Sequence, residues 1–268
     1  MRGFSLVELS IVLVILGLLT GGILSGQSLI RAAELRAISN EAARHYTSFQ
    51  TFRDKYAALP GDFKDATRFW LTDNVAATCT TNSGAAGSAT GACDGNGNGV
   101  IDCGVNVINV GTEGFQLWKH LALAGLIEGT YTGRTAFADC NNATIDTNVP
   151  RSKLANGGWG FAANTMTVIN SPTRNFTLPG GFPANVLVFG AANFGAPPSA
   201  GILTPEEAWN IDTKIDDGRP AYGSIIARSH SVFGANTCTT AANTNDLAAE
   251  YALTIKAKEC ALIFTKMF

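Results

Sequence analysis

Charge is scarce in this chain. Only 15% of its 268 residues are Asp, Glu, Lys or Arg, and the formal net charge is -2. That balance makes no electrostatic case for nucleic acid and leaves at most a local patch. Histidine is equally thin: His45, His120 and His230 lie on three separate segments. No G-x-S-x-G, P-loop or dinucleotide fingerprint is present. The Asp-rich stretches favour calcium and capping at least as well as paired-carboxylate hydrolysis. An enzyme is not expected. Cysteine is missing from the first 78 residues, and none stands in C-x-x-C spacing, which weakens zinc and thioredoxin-like readings. The six cysteines, Cys79, Cys93, Cys103, Cys140, Cys238 and Cys260, are an even set confined to the later chain, as expected of disulfides in an oxidising compartment.

Against that background one stretch stands out. Leu9 to Ile30 carries no charge, and a run of about 20 apolar residues is long enough to cross a bilayer as a helix. Glu8 sits at its start, where a carboxylate is costly and marks function. A secretory signal peptide would show a basic start, a short apolar core and a small-residue cleavage site. Here only Arg2 precedes the run, and Gly21-Gly22-Ile23-Leu24-Ser25-Gly26 continues into helix-compatible sequence. A plain anchor explains the run but not the arrangement of Phe4 and Glu8. Past Ile30 the pattern turns amphipathic. Leu35, Ile38, Ala42, Tyr46, Phe49 and Tyr56 recur at spacings of three, four and seven, with Arg31, Glu34, Arg36, Glu41, Arg44 and Asp54 interspersed. The spacing predicts a helix from about Ser5 to Tyr56, roughly 75 to 80 Å long. No ordinary globular domain needs that length. Pro60 and Gly61 stop it, and Asp62 is the expected N-cap of a short helix through Trp70.

The second informative stretch is Asp94-Gly95-Asn96-Gly97-Asn98-Gly99-Val100-Ile101-Asp102. Oxygen side chains at alternate positions, with glycine at the sixth, match the first nine residues of an EF-hand calcium loop. Alternation lets a tight turn aim Asp94, Asn96, Asn98 and Asp102 at one point. Val100 can add its backbone carbonyl, and Ile101 can anchor the loop. Val105 stands where the usual bidentate Glu would fall, leaving Glu113 as the nearest substitute. Structural Ca2+ is the expectation, at an affinity suited to extracellular calcium; the alternative is a metal-free Asn-Gly turn. Cys93 and Cys103 bracket the loop and could close it covalently, with Cys79–Cys140 completing one of several possible arrangements.

Downstream, Thr112 is the expected cap of an amphipathic helix from Glu113 to Ile127, with Phe115, Leu117, Trp118, Leu121 and Leu126 as apolar contacts. Trp118 is expected in the core and His120 at the surface, neither as a ligand. Strands are expected over Trp159 to Ile169, Asn175 to Leu178, Asn185 to Ala191, Tyr222 to Arg228 and Ala261 to Thr265. Thr204-Pro205-Glu206-Glu207 combines an N-cap, a first-turn proline and a capping-box Glu, opening a helix through Ile215. Asp212, Asp216 and Asp217 crowd its C-terminal end, where the helix dipole disfavours anions. A compensating structural network is expected there rather than a metal site.

Gly3-Phe4-Ser5-Leu6-Val7-Glu8, with the apolar run through Gly17, resembles the type IV prepilin signature: cleavage after a glycine, then Phe, with Glu four residues further on. The resemblance implies membership among type IV pilins and type II secretion pseudopilins. It implies a leader of residues 1–3 removed by a prepilin peptidase, N-methylation of Phe4, and Glu8 accepting the N-terminal amine of a neighbouring subunit during assembly. Two charges that are each expensive in an apolar bundle would offset one another only when a second subunit arrives in register. The proline often found midway along the pilin helix is missing; Ser25 stands there, and Gly21, Gly22 and Gly26 become the flexible points. Many type IV pilins carry a C-terminal disulfide loop, which implies Cys238–Cys260. The implied fold is α+β: a long N-terminal helix (4–56, with 9–30 transmembrane) on an antiparallel-sheet head with short extra helices (57–268). The implied setting is a bacterial inner membrane with the head in the periplasm, then a periplasmic or extracellular filament. Partners would be further pilins, the assembly platform and, before assembly, membrane lipid. A head of over 200 residues leans toward a pilus or minor subunit over a compact major pseudopilin. The rival is a membrane-anchored binding protein that never polymerises.

Overall fold

The computed structural model describes residues 5–72, 90–102, 113–134, 142–163, 176–178, 180, 183, 185–193, 195–229 and 237–266, without the Leu24 side chain. Among the described residues, four helices, α1 (Leu6–Tyr56), α2 (Ala66–Trp70), α3 (Glu113–Leu123) and α4 (Pro205–Ile215), accompany four strands, β1 (Gly157–Ala163), β2 (Asn185–Ala191), β3 (Ile225–Ser229) and β4 (Cys260–Phe264). The architecture is α+β.

Helix α1 runs unbroken for 51 residues, about 77 Å at 1.5 Å per residue. Ser5 caps its start, and Ala57, in the left-handed region at φ 51°, ends it by donating its N–H to the Arg53 carbonyl. Its two halves differ in environment. The described residues from Ser5 to Ile30 are exposed apart from half-buried Gly26, whereas Ile38, Ala42, Phe49 and Phe52 are buried against the rest of the chain. Tyr46, read as part of that stripe, is 44% exposed. The inward face instead takes Glu41, His45 and Ser48, because a stripe through Ile38 and Phe52 advances by about 3.5 residues per turn.

The sheet order is β1-β2-β4-β3, with every neighbouring pair antiparallel. Trp159 faces Phe189, and Phe189 faces Leu262, so one ladder of large side chains crosses three strands. The strands are buried along almost their whole length, which is why they read as near-continuous apolar runs rather than alternating ones. On the opposite side of β1 a Cβ at Gly160 would lie 2.5 Å from Pro198 Cδ. Glycine there lets the Pro197-Pro198 segment close over the sheet. Strand β2 has the expected boundaries, and β4 is shifted by one residue. Strand β3 starts three residues later than expected, because the Asp216 carboxylate accepts the N–H groups of Ser224 and Ile225 and holds the preceding segment as a turn. Residues 176–178 are not strand, and 164–169 lie outside the described residues.

Helix α3 ends at Leu123 instead of reaching Ile127. Gly125 takes φ 72°, Leu126 N–H bonds the Leu121 carbonyl and Gly125 N–H bonds the Ala122 carbonyl. This is a Schellman stop. Its expected cap, Thr112, lies outside the described residues. Helix α4 follows the sequence closely: Thr204 and Glu207 form the capping box and Pro205 opens the first turn.

Candidate functional site

At the N-terminal end of α1, the Glu8 carboxylate accepts the Ser5 N–H at 2.9 Å while Ser5 Oγ accepts the Val7 N–H at 3.3 Å. This capping arrangement satisfies two of the donors that every helix start leaves open. Glu8 therefore has a local partner within one chain, which the sequence reading did not foresee. Gly3 and Phe4, the residues of the expected cleavage, lie outside the described residues. The first half of α1 is long and apolar enough to cross a membrane, with mean hydropathy 2.4 over its best 18-residue window.

The glycine-asparagine loop is organised around two carboxylates from elsewhere in the chain. Asp62 accepts the backbone N–H groups of Gly97 (2.6 Å), Asn98 (3.2 Å) and Gly99 (2.7 Å). Glu113, in the first turn of α3, accepts those of Asn96 (2.9 Å) and Asp102 (2.7 Å). Consecutive backbone N–H groups form an anion-binding concavity, and Asp62 fills it. Asp62 is therefore not the N-cap of α2. Asp65 holds that position without a side-chain bond, and the acceptor for the first turn comes from Asp94, whose carboxylate accepts the Thr67 N–H at 2.8 Å and the Thr67 hydroxyl at 2.9 Å. The Pro60-Gly61 turn makes the exchange possible: Gly61 adopts φ 92° and lies so close to α3 that a Cβ would sit 2.5 Å from the Glu113 carbonyl.

Of the expected metal ligands, the loop brings Asn96, Asn98 and Asp102 together. Both Asn side-chain amides donate to the same Asp102 oxygen at 2.9 Å. The Asn96 and Asn98 Oδ1 atoms accept the N–H groups of Asn98 and Val100, each keeping a second lone pair. Ile101 is fully buried and donates its N–H to Asn185 Oδ1 at 3.0 Å, so it anchors the loop as expected. Asp94 points away to α2. The donor set fits a hard cation in part, with Asp94 outside it. Burial, reinforced by the charges of Asp62 and Asp102, outweighs the two N–H donors and pushes Glu113 up to about 8. Burial raises Asp62 as well, against its three backbone donors.

His120, expected at the surface, is fully buried behind the loop. Its Nδ1 accepts the Gly61 N–H at 2.9 Å, so the proton sits on Nε2, which donates to the Cys93 carbonyl at 3.1 Å. Burial lowers its pKa to about 3. Cys93 is disulfide-bonded; the expected pairings Cys93–Cys103 and Cys79–Cys140 involve Cys79, Cys103 and Cys140, which lie outside the described residues. Cys238 and Cys260 are paired with Cα atoms 5.0 Å apart.

Asp212, Asp216 and Asp217 bring carboxylate oxygens within 4.8 Å of one another. Asp212 accepts the Tyr251 hydroxyl at 2.8 Å and the Gly218 N–H at 3.3 Å, Asp216 accepts two backbone donors, and Asp217 accepts the Arg219 N–H at 2.9 Å. The expected network is built from N–H groups and a phenol, and the Arg219 guanidinium lies over the Tyr222 ring. Burial pushes Asp212 up to about 7. No family model, curated protein or solved structure matches the chain.

Proposed function

We propose that this chain is a filament subunit of the type IV pilus or type II secretion pseudopilus kind, matured after Gly3 and polymerised through α1. The observation that carries the reading is α1 itself: one continuous helix whose exposed apolar half begins at a carboxylate and whose second half is built into the head. An exposed apolar face of that size needs another environment. A membrane supplies it before assembly, and the bundled α1 helices of other subunits supply it afterwards. In this proposal the Phe4 amine of a neighbour replaces Ser5 as the partner of Glu8. The subunit sits in a bacterial inner membrane with its head in the periplasm, is cut and N-methylated by a prepilin peptidase, and is passed to the filament by an assembly platform. Its role is structural and not catalytic. The loop holds structural Ca2+ through Asn96, Asn98, the Val100 carbonyl, Asp102 and Glu113, which Asp94 joins only by leaving Thr67.

A second reading has one observation in its favour. Because Glu8 is satisfied by Ser5 in the isolated chain, its carboxylate can be a helix cap on an anchor that never polymerises. The two readings part at Glu8→Val. The filament reading expects normal membrane insertion, an N-terminus beginning at methylated Phe4 by mass spectrometry, and loss of incorporation into filaments. Unchanged assembly in that variant supports the anchor instead.

A further inference from the structure

Four glycines of α1 have no steric reason within the subunit: a Cβ at Gly17, Gly21, Gly22 or Gly26 meets nothing within 4 Å. Glycine is a weaker helix former than Ala, so residues 17–26 have the lowest helix propensity in α1. The described residues of that stretch are exposed apart from half-buried Gly26. The first polar side chain of α1 held by the head is Arg31. Its guanidinium forks onto Glu207, with Nε to Oε1 at 2.6 Å and Nη2 to Oε2 at 2.8 Å, while Nη1 reaches Glu34 at 3.1 Å. Glu207 is also the capping-box residue of α4, accepting the Thr204 N–H at 2.9 Å. A planar two-bond pair of this kind fixes direction as well as distance.

We propose that the Arg31–Glu207 fork is a clamp that locks α1 to α4 and confines bending of α1 to Gly17–Gly26. The head-docked half of α1 then moves with the head, and the apolar half moves as an arm. Helix bends gather at glycines and other weak points of the ladder, and the fork stops such a bend from spreading past Arg31. The arm's setting rests on the membrane reading above; the clamp itself does not.

The test uses the full chain in lipid nanodiscs. Hydrogen exchange over residues 31–44, which lie beyond the apolar run, should quicken at least tenfold in both Arg31→Gln and Glu207→Gln, with β2 and β4 unchanged. Gln still serves a capping box, so the first turn of α4 should stay protected in Glu207→Gln. Arg31→Lys keeps the charge but cannot fork, and should resemble Arg31→Gln. No acceleration over 31–44, or equal acceleration throughout the sheet, overturns the clamp. Spin labels at Leu13→Cys and Asp54→Cys read the arm: Gly21→Ala with Gly22→Ala should narrow the distance distribution, and an unchanged width overturns the hinge. A chain that fails to insert into the nanodisc refutes the membrane reading, and exchange of the same chain in solution still judges the clamp.

Discussion

Glu41 is the polar pivot between α1 and the head. Although it is buried, its carboxylate accepts three donors: Ser152 Oγ at 2.6 Å, Lys153 N–H at 2.8 Å and Trp159 Nε1 at 2.8 Å. Removing it strands buried donors, each costing about 1 kcal/mol or more. Glu41→Ala should therefore destabilise the protein by roughly 3 kcal/mol in urea unfolding, and a loss too small to resolve would contradict that role. The titrating groups make a second claim. Burial lowers His45 and His120 from 6.5 to about 3, so the stability they contribute is present above 6.5 and is lost as pH falls toward 3. Glu113 and Asp212 act oppositely. They are raised from 4.5 to about 8 and from 3.8 to about 7, and their contribution is present below those lower values and lost as pH rises through the higher ones. Between 4.5 and 6.5 the pairs oppose each other; above 6.5 only the acids act. The melting temperature in EDTA should fall from pH 6.5 to 8, and less so in Glu113→Gln. A rise over that window would refute the assignment.

Among the elements, local rules and distant contacts were legible to different degrees. The helix from Ser5 to Tyr56, the Thr204–Glu207 capping box and the β2 boundaries lay open in the sequence because each rests on neighbours within a few residues. The Cys238–Cys260 pair was legible through the family resemblance. Asp62 is a good cap by type, but it serves N–H groups 35 to 37 residues onward, while Asp94 of the loop serves a residue 27 back. Periodicity gives no sign of such an exchange. The run of Gly97, Asn98 and Gly99 does signal a concavity of N–H groups, without saying which carboxylate fills it. A polar ring such as His120 reads as surface in sequence; two backbone partners and the stacked Phe52 and Trp70 rings bring it in. The apolar pattern runs on past Gly125 to Ile127, so periodicity alone hides the stop that Gly125 makes at the end of α3. Gly125→Ala should cost about 1 kcal/mol, since it forces a side chain into the left-handed region. Thermal unfolding of that variant checks it, and no loss would mean the Schellman stop contributes nothing.

The whole molecule combines a head built on one buried apolar cluster with a helix whose first half lies exposed. If the loop holds calcium, adding Ca2+ to EDTA-treated protein should raise the melting temperature, and Asp102→Asn or Glu113→Gln should abolish the gain. Indifference of the wild type to calcium would leave a metal-free turn pinned by Asp62 and Glu113. If the Phe4 amine of one subunit meets Glu8 of the next, adjacent α1 helices are offset by four residues, about 6 Å. Residue 6 of one copy then lies beside residue 10 of its neighbour. Cells co-producing Leu6→Cys and Ser10→Cys subunits should yield cross-links between the two kinds of subunit on oxidation, absent when either is produced alone. Cross-links only between identical positions, or none in intact cells, would contradict assembly through Glu8.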